Sequence, residues 1–161
     1  MAGKTAFITL MGISLLLGML VAVFPMSNQF SLLRPELVCL LVIYWIMSAP
    51  QHFGVVFAWL IGLLQDFIEG TVWGGHALAL SVIAYICLVS YQRIRNYAIW
   101  QQTVWVFIFV GTHQVIVNWV QGLSGYHAAV HMLLLPAVVS ALCWPVVVWA
   151  LQHLRLNYRA L

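Results

Sequence analysis

The sequence predicts an all-α polytopic membrane protein, a bundle of six transmembrane helices. Hydrophobic residues make up 65% of the 161 residues and charged residues only 6%, whereas a soluble domain has about 25% charged residues. Long apolar runs also alternate with short polar segments. At about 20 residues per spanning helix, the chain holds five or six spans and no soluble domain. Residues 1–161 are therefore predicted to form a single integral membrane domain.

The first span, about 6–24, follows Lys4 and ends at Pro25. Its 19 apolar residues are long for the core of a signal peptide, and no A-x-A cleavage motif follows them. Signal peptides combine a shorter apolar core with such a motif. We therefore expect this segment to be retained as a transmembrane helix.

The second and third spans, about 34–49 and 53–69, are separated by the sequence APQHFG. Both are short for a bilayer core about 30 Å thick, and each reaches spanning length only by including charged residues at its end. Residues 34–69 are therefore open to a second interpretation, a re-entrant helical hairpin that enters and leaves on one side.

The last three spans are predicted at about 76–91, 98–119 and 130–151. Polar segments divide them, QRIRN after the fourth and QGLSGYHAAVH after the fifth. The short tail LQHLRLNYRAL follows the sixth. Each run is long enough to cross a bilayer.

The distribution of cations predicts the orientation of these spans. Cytoplasmic loops of membrane proteins carry an excess of Lys and Arg. With six spans and a cytoplasmic N-terminus, Arg34 alone lies outside, and the cytoplasmic cations are Lys4, Arg93, Arg95, Arg155 and Arg159. We therefore predict that both termini are cytoplasmic. A re-entrant hairpin would remove two crossings together and leave this asymmetry unchanged.

The third span has one small and polar face when it is placed on a helix at 100° per residue. Its aromatic and leucine side chains lie on the opposite face, toward lipid or a partner helix. Small residues allow another backbone to approach closely. The predicted helix-packing residues here and in the following turn are Gly54, Ala58, Gly62, Gly70 and Gly74.

The fifth span has a polar stripe of Gly111, Gln114, Asn118 and Gln121. Amide side chains in hydrocarbon need hydrogen-bond partners, so we expect the stripe to face the interior of the bundle.

The predicted topology brings the strongly polar groups to the outer half of the bundle. Charges are costly in a membrane unless they are paired, so we predict that Arg34 pairs with Asp66 or Glu69. The cluster is either a structural lock for helix packing or, because intramembrane ionisable groups are functional candidates, a ligand pocket or proton relay. Its predicted members are Arg34, Glu36, Asp66, Glu69, Asn118 and Gln121.

Enzymatic and metal-binding motifs are missing from the sequence. We find no G-x-S-x-G elbow, no H-E-x-x-H and no glycine-rich phosphate loop. His127 and His131 are four residues apart but have no third ligand nearby. His76 and His113 are interpreted as isolated residues with ordinary hydrogen bonds. We therefore predict no enzyme, no metal and no cofactor. Six scattered cations also argue against a nucleic-acid partner.

Residues 32–86 resemble the MreD family, the rod shape-determining membrane proteins of bacteria. The features that match are Arg34-Pro35, Tyr44-Trp45, the run from Gly62 to Asp66, the glycines at 70 and 74, and Ala77-Leu78. The segment YQRIRNYAIWQQ, residues 91–102, is also similar to this family.

The resemblance implies a non-enzymatic scaffold of the elongasome in the bacterial inner membrane, active in cell shape and peptidoglycan synthesis. It implies four partners: MreC, the RodA glycosyltransferase, a class B penicillin-binding transpeptidase and, directly or indirectly, MreB. The family is also similar in fold to the S-components of energy-coupling-factor transporters. The alternative function is therefore a small-molecule-binding subunit of the vitamin-transporter type.

Overall fold

Six α-helices make up the computed structural model, which describes residues 2–25, 33–126 and 128–159. They are α1 (Ala2–Val23), α2 (Leu37–Ser48), α3 (Val55–Glu69), α4 (Gly75–Ile94), α5 (Ile99–Leu123) and α6 (Val130–Arg159). No β-strand occurs in these three ranges. The prediction of an all-α chain with six helices is confirmed.

Four of these helices are long and apolar enough to cross a membrane. Their apolar segments are Thr5–Val23, Gly75–Ile94, Ile99–Leu123 and His131–Leu156. The helices α5 and α6 continue beyond the predicted span ends at 119 and 151, because helical structure extends into the polar segments that follow. The helix α2 begins at Leu37 rather than at the predicted residue 34.

The shortest helix, α2, lies at the centre of the bundle and contacts α1, α4, α5 and α6. Ten consecutive residues, from Val38 to Met47, are buried. A helix that is apolar on all sides lies either in a protein core or in lipid, and the burial of these residues places α2 in the core of the bundle. Its 12 residues span about 18 Å, and the surrounding helices keep its ends away from lipid, where unpaired backbone groups are costly.

The helices α1 and α2 run antiparallel. The indole nitrogen Nε1 of Trp45, near the end of α2, donates to Ser14 Oγ in α1 at 3.1 Å. The ring of Phe7, near the start of α1, packs against Trp45 and also against Phe53, with centroids 5.1 and 5.9 Å apart. At the other end of α1, Arg34 bonds to the carbonyl oxygen of Phe24.

These contacts define two ends of the bundle. All three acidic side chains of the sequence, Glu36, Asp66 and Glu69, lie at one end, which we call the acidic end. At the opposite end, which we call the basic end, Arg95 and Arg155 line one cavity together with Ser48 of α2.

The turn over residues 49–54 lies at the basic end, because Phe53 packs on Phe7 and Ser48 lies beside Arg95. The helices α2 and α3 therefore both connect the acidic end with the basic end. They also pack mainly on other neighbours, α2 on α4 and α1, and α3 on α4. The helices α2 and α3 therefore do not pack closely against each other, as the two arms of a re-entrant hairpin would.

Candidate functional site

The carboxylate of Asp66, near the end of α3, caps the start of α4. Its Oδ2 accepts hydrogen bonds from the backbone N–H of Gly74 at 2.9 Å and of Ala77 at 3.3 Å. Its Oδ1 accepts from the backbone N–H of His76 at 3.0 Å. The first N–H groups of a helix have no partner within the helix and favour a negative charge. Asp66 therefore ties α3 to the N-terminus of α4.

Two side chains complete the surroundings of Asp66. The hydroxyl of Thr71 donates to Oδ1 at 3.1 Å, and Nδ1 of His76 lies 2.8 Å from the same oxygen. Because an ionised carboxylate can only accept, Nδ1 is the donor in this pair. Asp66 is fully buried and accepts five hydrogen bonds, all from its own chain.

Gly62 lies one helical turn before Asp66 and allows α3 and α4 to come into backbone contact. A Cβ atom at this position would lie 2.4 Å from the Cα and 2.6 Å from the nitrogen of Ala77. These distances are far inside van der Waals contact, and the neighbouring atoms are backbone. This close contact supports the packing role predicted for Gly62. The methyl group of Ala58, one turn earlier, is also fully buried.

The glycines Gly54, Gly70 and Gly74 do not pack closely, and the prediction for them is wrong. A Cβ at any of the three would meet nothing within 4 Å. Gly70 and Gly74 instead adopt left-handed backbone angles, with φ of 65° and 93°, which only glycine adopts readily. Gly70 ends α3 and Gly74 precedes α4, so these two residues shape the turn that brings His76 back to Asp66.

Glu69 forms the next layer of the polar cluster. Its Oε1 accepts a hydrogen bond from Nε2 of Gln65 at 2.8 Å. Its Oε2 lies 3.8 Å from Nε2 of His76, so the imidazole lies between the carboxylates of Asp66 and Glu69. About one fifth of the Glu69 side chain is exposed (22%), whereas that of Asp66 is fully buried. Glu69 is therefore at the rim of the cluster.

Glu36 connects the short helix α2 to α5 and α6. Its Oε1 accepts from Nε2 of Gln114 at 2.7 Å, and its backbone N–H donates to Ser140 Oγ at 2.8 Å. Ser140 in turn donates to the carbonyl oxygen of Pro136 at 2.6 Å. Gln114 therefore faces the bundle interior, as predicted for the polar stripe of α5.

Arg34 does not pair with Asp66 or Glu69, so this prediction is wrong. Its guanidinium donates instead to the backbone carbonyl oxygens of Val21 and Phe24, at 2.6 Å from the latter. The last carbonyl groups of a helix lack partners and favour a positive charge. Arg34 therefore caps the C-terminal end of α1, and His76 takes the place beside Asp66.

The remaining two predicted members of the cluster serve the loop after α5. The side-chain oxygen Oδ1 of Asn118 accepts from the backbone N–H of Ala128 at 3.0 Å. The backbone carbonyl of Gln121 accepts from the N–H groups of Ser124 and Tyr126. Neither residue bonds to Asp66 or Glu36. Of the two histidines considered as metal ligands, His127 lies outside the described residues.

Two buried side chains were missed by the sequence analysis. The sequence predicts an isolated His76, whereas in the structure His76 is the partner of Asp66. His113 of α5 is 1% exposed, its ring centroid lies 5.6 Å from that of His76, and neither ring nitrogen has a hydrogen-bond partner among the described residues. The signal for His76 was its place directly after Gly74-Gly75, where a helix N-terminus follows a turn.

The structure defines an α-helical membrane protein whose surface is largely apolar and whose acidic side chains are bonded within the bundle. The family model described as rod shape-determining protein MreD matches residues 4–154. The chain is 32% identical over 132 residues to the rod shape-determining protein MreD of Haemophilus influenzae, covering 81% of each chain. The chain belongs to the MreD family. No solved structure matches it significantly.

Proposed function

We propose that the protein is a non-enzymatic scaffold subunit of the rod-shape complex, which binds MreC and supports peptidoglycan synthesis during lateral wall elongation. Its family supports a role in rod shape. The observation that carries the scaffold interpretation is the environment of Asp66. Three backbone N–H groups and two side chains of the same chain occupy its oxygens. Such a carboxylate fixes helix packing and has little capacity left to bind a substrate.

The partners proposed for this scaffold are MreC, the RodA glycosyltransferase and a class B penicillin-binding transpeptidase, with MreB reached directly or indirectly. Large apolar side chains are exposed along α1, α3, α5 and α6, for example Leu20, Phe67, Trp119 and Leu142. In a bilayer such surfaces contact lipid or the helices of other membrane proteins, where shape and small residues decide the pairing. A scaffold needs this kind of surface and no catalytic group.

We propose that all six helices cross the inner membrane and that the basic end is cytoplasmic. The positive-inside rule supports this orientation. Arg95 and Arg155 line the cavity at the basic end, and Arg93 precedes Arg95 by two residues. Arg34 lies at the acidic end. Both termini are then cytoplasmic, and the polar cluster around Asp66 lies toward the outer surface.

The scaffold proposal is tested by deletion and by co-purification. Loss of the protein is expected to round rod-shaped cells, and a plasmid copy is expected to restore them. The tagged protein, purified in mild detergent, is expected to recover MreC, while an unrelated tagged polytopic protein recovers none. Rod-shaped deletion cells together with no MreC in the eluate would contradict the proposal.

A second candidate function is a small-molecule-binding subunit of the S-component type. The observation that favours it is His113, a buried imidazole beside His76 with no hydrogen-bond partner among the described residues. Buried polar groups are usually bonded, so an unpartnered one is a candidate for a ligand contact. This candidate predicts that a solute binds the purified protein, that His113→Leu weakens the binding, and that an energising ATPase module co-purifies.

A further inference from the structure

A partly open cavity of about 370 Å³ lies at the basic end, between the end of α2, the turn from α4 to α5, and the helices α5 and α6. Its volume is at the lower end of the range for small-ligand sites, about 300–1,000 Å³. The residues that line it are Tyr44, Met47, Ser48, Arg95, Gln102, Trp144, Val148, Gln152 and Arg155.

The cavity carries two positive charges that no acidic side chain balances. All three Asp and Glu residues of the sequence lie at the acidic end. Within the described ranges, no hydrogen bond or ion pair is found for the guanidinium of Arg95. The guanidinium of Arg155 contacts the ring of Phe7, 5.4 Å from its centroid. Both cations are therefore available to an anion from outside the chain.

The neutral groups of the cavity are arranged to support such an anion. The side-chain oxygen of Gln102 accepts from Nε1 of Trp144 at 3.3 Å, and its Nε2 donates to the carbonyl oxygen of Tyr97 at 3.0 Å. These bonds fix the wall between α5 and α6. The hydroxyl of Ser48 and the amide of Gln152 add further polar groups to the lining, and Val148 and Met47 add apolar ones.

We propose that this cavity binds the phosphate group of an anionic phospholipid from the adjacent leaflet. Guanidinium groups bind phosphate oxygens through paired N–H donors. Basic pockets between transmembrane helices at the cytoplasmic side are a known class of site for lipid head groups. The position favours a lipid over a free anion, because the arginines lie at the ends of membrane helices and apolar residues continue the wall. The proposal goes beyond the scaffold function and requires none of its partners.

The test measures lipid binding to the purified full-length protein by native mass spectrometry in detergent. The probes are phosphatidylglycerol, phosphatidylcholine with the same acyl chains, and inorganic phosphate. We expect phosphatidylglycerol to bind most tightly and Arg95→Gln to weaken it about fivefold, since one cation near a membrane surface contributes roughly that factor. Arg93→Gln is the matched control, because it removes the same charge two residues away and Arg93 does not line the cavity.

A second variant, Arg155→Lys, keeps the charge over Phe7 but removes the paired donors. It is expected to weaken phosphatidylglycerol binding while the protein stays folded. Equal weakening by Arg93→Gln and Arg95→Gln would overturn the proposal in favour of general surface attraction. If phosphatidylcholine bound as tightly as phosphatidylglycerol, the proposal would be overturned, because the net negative charge of the lipid would then have no role in binding. Competition by inorganic phosphate at the same concentration would overturn the assignment to a lipid and leave an ordinary phosphate site.

Discussion

Gly62 of α3 lies directly against the backbone of Ala77 in α4, so close that a single added carbon at position 62 would fall 2.4 Å from the Cα of Ala77. Asp66, one turn later, accepts the backbone N–H of Ala77. The same residue of α4 is therefore held by a packing contact and by a hydrogen bond. These two contacts set the separation and the register of the most extensive helix pair in the bundle.

The first prediction concerns this close approach. Gly62→Ala is expected to destabilise the protein by about 1–3 kcal/mol or more, because the backbone of α4 must move away. Gly111→Ala in α5 is the matched control, since its Cβ would meet nothing within 4 Å. We expect Gly111→Ala to be neutral or stabilising by up to about 1 kcal/mol. Thermal unfolding in detergent measures both, and equal unfolding temperatures for the two variants would contradict the packing role.

The second prediction concerns the cap on α4. Asp66→Asn keeps the shape of the side chain but replaces one acceptor oxygen by an amide that faces N–H donors. We expect a loss of about 1–3 kcal/mol of stability, the typical cost of leaving buried polar groups unpaired. Glu69→Gln at the rim is expected to cost less than about 1 kcal/mol. Denaturant unfolding in detergent compares them, and a larger effect of Glu69→Gln would show that the cap is not the dominant contact.

The third prediction distinguishes the observed partner of Asp66 from Arg34. A double swap, Arg34→Asp with Asp66→Arg, is expected to be no more stable than either single variant, because the two residues hold different helix ends. Non-contacting sites usually add their effects within about 0.5 kcal/mol. A double-mutant cycle on unfolding free energies provides the measurement. Clear rescue in the double variant would restore the Arg34–Asp66 pair.

The fourth prediction concerns the bond between α2 and α5. Gln114→Leu removes the donor to Glu36 and leaves a half-buried carboxylate without that partner, at a cost of about 1.5–3 kcal/mol. Gln121→Leu is the control on the same stripe, since only the backbone of Gln121 is bonded within the described residues. It is expected to change stability by less than about 0.5 kcal/mol. Chemical unfolding of the purified variants measures the loss of stability in each. Similar losses for Gln114→Leu and Gln121→Leu would argue against a role for the hydrogen bond between Gln114 and Glu36.

The fifth prediction concerns the membrane crossings of α2 and α3. Single cysteines at Gln51 and Val72 are expected to react with a membrane-impermeant thiol reagent from opposite sides, the former from the cytoplasm. The two positions lie in the turns at the two ends of the bundle. The parent variant with only the native cysteines is the control. It measures the labelling of Cys143, which is partly buried, whereas Cys39 and Cys87 are buried. Labelling of both positions from one side would support the re-entrant hairpin.

Much of the architecture follows from the sequence. Backbone N–H and C=O groups in lipid must be hydrogen-bonded within the protein, so apolar runs between polar segments form helices. The close approach at Gly62 was also predictable, since a small face on one helix requires a neighbour. The partner of Asp66 was not. It depends on how a turn with two left-handed glycines directs the next helix, which places His76 beside the carboxylate.

The failure at Arg34 has a related cause. The predicted topology brings Arg34, Glu36 and Asp66 to one end of the bundle, and the structure also has the three residues at one end. It gave no information on which neighbouring helix each side chain faces. Arg34 is near enough to the end of α1 to satisfy the carbonyl oxygen of Phe24, and that local contact prevails over a more distant ion pair.

The central position of α2 has a consequence for biogenesis. Its 12 residues are too few to span the bilayer core of about 30 Å as an independently inserted helix. Three of the four helices that surround it, α4, α5 and α6, are synthesised after it. The nascent chain therefore has to hold α2 against α1 alone until the later segments arrive. We therefore expect insertion to be completed only with the C-terminal half, and truncation after α3 to leave α2 without most of its binding surface.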